Sequence, residues 1–201
     1  MYDSPRYPTS IDDALAFVRT MRHGTLAATP PGGHPQVTLL PFVLDGDHVE
    51  VHCVQADPTF AAVQANPAVT FFVADFLAFA PHHWIDPARA SNGTLHFRAV
   101  AFEGRARWST DVDDVAAGMR RLLATYEPGA AYDRITADDD EYRARLERLA
   151  VVRIAIEHVH AKFKLGPPGD VAYKRTVVDG LRSRDEPGDA RAADVIESTI
   201  E

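Results

Sequence analysis

Two spacings of apolar residues organise the chain, one near every second position and one near every 3.6. The first marks strands. GTLAAT (24–29) reads as a strand and PPGGHP (30–35) as a turn. QVTLLPFVL (36–44) is a second strand, DGD (45–47) a tight turn and HVEVHCV (48–54) a third strand, the clearest hairpin signal in the chain. PAVTFFVADFLAF (67–79), GTLHFRAVAFEGRARW (93–108) and the segment 150–165 are strongly β-prone.

The second spacing marks helices. In TSIDDALAFVRTM, Ser10 or Thr9 can cap, Asp12 and Asp13 suit the first turn, and Leu15 and Val18 lie three apart. DPTFAAVQAN (57–66) offers Asp57 as cap and Pro58 at the first helical position. TDVDDVAAGMRRLLATYE (110–127), DDDEYRARLERLA (138–150) and two C-terminal segments, 170–184 and 185–201, complete the set. Tight turns between strands predict antiparallel sheet, and regular βαβ alternation is absent. The expected fold class is α+β: an antiparallel barrel with peripheral helices and a C-terminal helical pair.

Composition narrows the function classes. With 201 residues, 46% hydrophobic and 25% charged, the chain suffices for one sizeable core. No apolar run reaches the roughly 18–20 residues that span a bilayer, and MYDSPRYPTSIDD lacks the basic and apolar regions of a signal peptide, so a cytoplasmic protein with no membrane contact is expected. The single cysteine, Cys53, permits no internal disulfide and suits a buried structural thiol. A net charge of −8 argues against a broad nucleic-acid surface. Rossmann, P-loop, GxSxG and CxxC signatures are absent.

Four constellations remain as candidate chemistry. EHVHAKFKLG (157–166) sets His158, His160, Lys162 and Lys164 on one side of an extended strand. The polar residues line a site if the strand runs unbroken, and face solvent if a bulge near Glu157 swaps its faces. His-x-His invites a metal, but spacing identifies no third ligand, so no metal site is assigned. APHHWIDP (80–87) places His82, His83 and Trp84 at a strand end, as a substrate pocket or as a Trp plug with exposed histidines. In TLHFRAV (94–100), His96 extends the candidate substrate pocket, and Arg98 is either an anion or flavin-carbonyl donor or half of an ion pair. HCVQADPTF (52–60) joins His52 to a helix N-terminus whose amides suit a phosphate, although Asp57 competes with an anion there.

Taken in order, MYDSPRY, HGTLAAT (23–29), LLPFVLD (39–45), HCVQADP (52–58), NPAVTFFV (66–73), APHHWIDP (80–87), HFRAVAFEGRARW (96–108) and KFKLGP…VVDGLRSR (162–184) resemble the PaiB-type FMN-binding negative transcriptional regulators. The resemblance spans nearly the whole chain, and KFKLGP followed by GLRSR is its most specific part. It implies a split β-barrel like that of pyridoxamine-phosphate oxidases over 1–169, a helical extension over 170–201, and a homodimer holding FMN at the subunit interface. By this resemblance Thr38, Leu40 and Pro41 run along the flavin edge. His52, Asp57 and Thr59 fall near the phosphate or ribityl chain, and Lys162 and Lys164 supply positive charge. Gln55 stands where the family carries an arginine. The implied activity is a flavin-dependent oxidoreductase or a regulator acting indirectly on transcription. The alternatives are a non-enzymatic negative regulator and a haem-binding or haem-degrading barrel, with His96, His158 or His160 as axial ligand and Lys162, Lys164 and Arg98 on the propionates.

Overall fold

The structure is a computed structural model and describes residues 5–200; the start of MYDSPRY (1–4) and the last residue of the C-terminal helical pair lie outside the described residues. In chain order the elements are α1 (Ile11–Thr20), β1 (Gly24–Ala28), β2 (Gln36–Leu40), β3 (Phe42–Asp45), β4 (His48–Val54), α2 (Pro58–Ala65), β5 (Ala68–Ala80), β6 (Thr94–Ser109), α3 (Val112–Tyr126), α4 (Asp140–Leu146), β7 (Leu149–Lys164), α5 (Val171–Arg184) and α6 (Asp189–Glu197). The seven strands form one antiparallel sheet in the order β2-β1-β5-β6-β7-β4-β3. The sheet is open, with β2 and β3 at its edges, as in a split barrel.

One expected strand is two. Pro41 interrupts QVTLLPFVL, because a residue without an N–H cannot continue a ladder. β2 turns back onto β1, in register from Gly24↔Leu40 to Ala28↔Gln36. Only β3 forms the expected hairpin with β4, from Phe42↔Val51 to Asp45↔His48. The two halves of that apolar run therefore end at opposite edges of the sheet. No break interrupts β7 between Leu149 and Lys164. His158 is exposed on it, whereas His160, Lys162 and Lys164 are half-buried.

The chain forms two compact units. One comprises Leu15–Val73 and Ala101–Val159; the other comprises the described residues of Met1–Ala14 with Ala74–Val100 and His160–Glu201. β5, β6 and β7 contribute residues to both. The core of the first unit holds Leu26, Val49, Val51, Phe60, Phe71, Phe102 and Ile154. Phe42 meets Phe71 edge-on at 5.2 Å. α3 lays Val115 and Ala116 against Ile135, Leu146 and Val151. Gly104 of β6 lies so close to β7 that a Cβ would overlap the Ala155 carbonyl oxygen.

In the second unit, Leu77 and Ala78 of β5 pack with Val177, Val178 and Leu181 of α5 and Ala192, Ala193 and Ile196 of α6. Arg184 joins these elements. It pairs with buried Asp189, donates to the Phe79 carbonyl at 2.9 Å and lies 5.2 Å from the Trp84 ring centroid. The indole of Trp84 rests on bare backbone, for a Cβ on Gly180 would stand 2.5 Å from its ring. Gly180→Ala should displace Trp84 and cost about 1–3 kcal/mol, read as a lowered melting temperature with a shift in indole emission. An unchanged emission spectrum would show that Trp84 does not depend on that contact.

Candidate cofactor site

The first unit brings together three of the residues expected near a flavin. Thr38 of β2 places its hydroxyl 2.6 Å from that of Thr59. The same hydroxyl lies 3.2 and 3.3 Å from the carboxylate oxygens of Asp57. Asp57 caps α2 as its sequence position predicts, its Oδ1 accepting the Thr59 N–H at 2.7 Å. Leu40 and Pro41 follow at the end of β2, Leu40 half-buried and Pro41 exposed. Because β2 is an edge strand, its outer row of backbone N–H and C=O groups is unpaired within the sheet. Beside that row Val37 and Leu39 are 61% and 65% exposed.

His52 does not join this group through any hydrogen bond. It is buried on β4, and a Cβ on Gly118 of α3 would lie 2.5 Å from its Nε2. Neither ring nitrogen has a hydrogen-bond partner, and burial lowers its pKa so that the neutral ring is held. Its neighbour Glu50 is also buried. Arg121 donates to it through Nε and Nη2 at 3.1 and 2.8 Å, and Arg153 through Nε at 2.6 Å. Burial alone would raise the Glu50 pKa, but together the two guanidinium groups hold it below the ordinary value. This cluster was not expected. Its one local sign is a carboxylate inside the run Val49 to Cys53, which is buried at every position. A groove of about 560 Å³ opens beside it, lined among others by His48, Arg105, Arg107, Trp108 and Arg153.

In the second unit, Arg98 is engaged: it donates to Asp75 at 2.8 Å, and Arg191 clamps the same carboxylate at 2.6 and 2.9 Å. The Lys164 ammonium donates to the Thr94 hydroxyl. His96 is 1% exposed, neither of its ring nitrogens has a hydrogen-bond partner, and its ring centroid lies 6.3 Å from that of Tyr173. His83 and Trp84 line a shallow cavity of about 500 Å³ with Gly180, Ser183 and Arg184; His82 and His96 do not. Among the described residues no group of three histidine, cysteine or acidic side chains is placed to hold a metal. None of their helices is long and apolar enough to cross a membrane.

FMN has a planar ring, a hydroxylated chain and a dianionic phosphate. The Thr38 hydroxyl and the free edge of β2 fit the first two, while the exposed Val37 and Leu39 point to the opposite face of β2 from Thr38. The α2 N-terminus does not fit the third: Asp57 already uses the Thr59 amide and places a negative charge there.

The open antiparallel sheet with its peripheral helices defines an α+β split-barrel protein. The family described as "Putative FMN-binding domain" matches residues 1–158, and the chain belongs to it. The FAD and heme binding protein from Mycobacterium smegmatis superposes with a TM-score of 0.64 at 18% identity, over 85% of this chain and 78% of that one. The flavocytochrome Anf3 from Azotobacter vinelandii gives 0.62 at 22% identity over 83% and 77%. A conserved hypothetical protein from Mycobacterium tuberculosis gives 0.59 at 18% identity over 81% and 90%. At these identities the likeness is one of fold. No curated protein matches the chain.

Proposed function

We propose that the protein is a PaiB-like FMN-binding split barrel in which the flavin lies against the open edge of β2. It would act as a flavin-dependent oxidoreductase or as a regulator working indirectly on transcription. The observation that carries the reading is the Thr38–Thr59 hydroxyl pair, 2.6 Å apart, on an unpaired strand edge. Thr38 hydrogen-bonds the polar edge or ribityl chain, Leu40 and Pro41 contact the ring, and Asp57 with the buried Thr59 orients the Thr38 hydroxyl. Bound FMN supplies hydride or single-electron transfer; the chain supplies binding and orientation. The proposal includes a cytoplasmic homodimer that makes no membrane contact and does not bind DNA directly.

FMN added to the purified protein should give a shifted flavin absorption band and quenched flavin fluorescence. Thr38→Val should weaken binding about tenfold, the loss of one hydrogen bond to the ligand. Protein that leaves FMN fluorescence unchanged would overturn the reading. His96 supports a second reading, haem, because it is a buried neutral imidazole with both nitrogens unpartnered. A Soret band on haemin titration, lost in His96→Ala, would favour it over flavin.

A further inference from the structure

The groove beside Glu50 belongs to no part of the flavin reading, since Thr38, Asp57 and Thr59 do not line it. Its volume of about 560 Å³ is that of a small-molecule site. On β6, Arg105, Arg107 and Ser109 alternate and share one face. β7 supplies Arg153 and β4 supplies His48, so the lining carries three guanidinium groups and an imidazole beside Asp114 and Glu157, with Arg153 paired to Glu50 and His48 to Asp47. The cations left to meet a ligand are Arg107 and Arg105, in a chain of net charge −8.

The state of each cation is informative. Arg153 spends Nε on Glu50, and its side chain is 50% exposed. Arg105 stands 3.7 Å from Glu157, beyond hydrogen-bonding distance, with its side chain 64% exposed. Arg107 has no hydrogen-bond or ion-pair partner among the described residues, in a chain with 29 acidic side chains. A planar guanidinium presents a fork that matches a carboxylate or phosphate in two places. Beside these forks sits Trp108, 45% exposed and braced by Phe60 at 5.6 Å in perpendicular contact. A braced, half-exposed indole is a platform for a flat ring.

We propose that this groove binds a small planar anion: a flat ring carrying a phosphate or a carboxylate, with the ring on Trp108 and the anion on Arg107 and Arg105. Arg153, fixed by Glu50, positions that end of the groove. The proposal holds whether or not the protein takes FMN at β2.

AMP is the test probe for ring plus phosphate and benzoate for ring plus carboxylate, titrated into the full chain with and without saturating FMN. The readout is the Trp108 indole N–H resonance, assigned by its absence in Trp108→Phe. One or both probes should shift it saturably with Kd below roughly 1 mM, and whichever is tighter names the anion. Adenosine and inorganic phosphate should each bind more weakly than AMP. Arg107→Gln, on an exposed strand face, should leave melting unchanged and weaken the tighter probe about tenfold. Three results would overturn the proposal: no shift from either probe at roughly 10 mM, equal affinity in Arg107→Gln, or displacement of the probe by FMN, which would make the groove the cofactor's own.

Discussion

His96→Leu is expected to flatten the loss of stability between pH 7 and pH 4 in the unit that contains it, leaving the loss at lower pH to the Arg-paired carboxylates of Asp75 and Asp189. His96 is buried without a hydrogen-bond partner for either ring nitrogen. Burial, reinforced by the charge of Lys164 and opposed by that residue's backbone, lowers its pKa from 6.5 to about 4. The unfolded chain therefore binds a proton in the window from 6.5 down to 4 that the folded chain refuses. A depressed pKa contributes stability that is fully present above the unfolded value and is lost as pH falls towards the folded value. A shift of this size corresponds to about 3 kcal/mol lost between pH 7 and pH 4. Leucine does not titrate, and at neutral pH it removes a buried polar ring held by no more than the Lys164 backbone, so the variant should lose at most about 1 kcal/mol there. Chemical denaturation at pH 7.5 and 4.5 measures both values. Identical pH slopes in parent and variant would assign the acid sensitivity elsewhere, to His52 in the other unit or to the buried carboxylates.

Gly104→Ala is expected to be the most damaging single methyl in the chain. The nearest obstacle to its Cβ is backbone, the Ala155 carbonyl, with Ile154 close behind. A side chain can swing away from such a clash; a paired strand cannot. The sheet must open between β6 and β7, and a loss of about 3 kcal/mol or more is expected. Because Arg105 and Ala155 both line the arginine groove, the same variant should lose any ligand held there. A melting temperature within a degree or two of the parent would mean the strands accommodate the methyl by sliding.

Local chemistry made most elements readable. Asp57 followed by Pro58 announces a helix start from adjacent residues alone, and α2 begins there with the expected cap. Pro41 was different. Apolar residues on both sides disguise it as mid-strand, and only the ladder, where a missing N–H matters, shows that β2 and β3 part company. The site was less readable because its bonds are long-range. Glu50 meets Arg121 and Arg153 across 71 and 103 residues. Arg98 carries the same signature whether it faces a ligand or, as here, Asp75. The grouping of Thr38 with Asp57 and Thr59 came from family resemblance rather than from periodicity.

Cys53 gives the molecule a built-in clock. It is the chain's one thiol, 1% exposed on β4 opposite Ala150 of β7. Burial, with the charge of Asp57, pushes its pKa up to about 12. In the closed fold it has neither access nor nucleophilic charge, so an alkylating reagent must wait for β4 to part from its neighbours. The labelling rate thus reports how often the middle of this unit opens, and a ligand that clamps β2 onto α2 should slow it in proportion to occupancy.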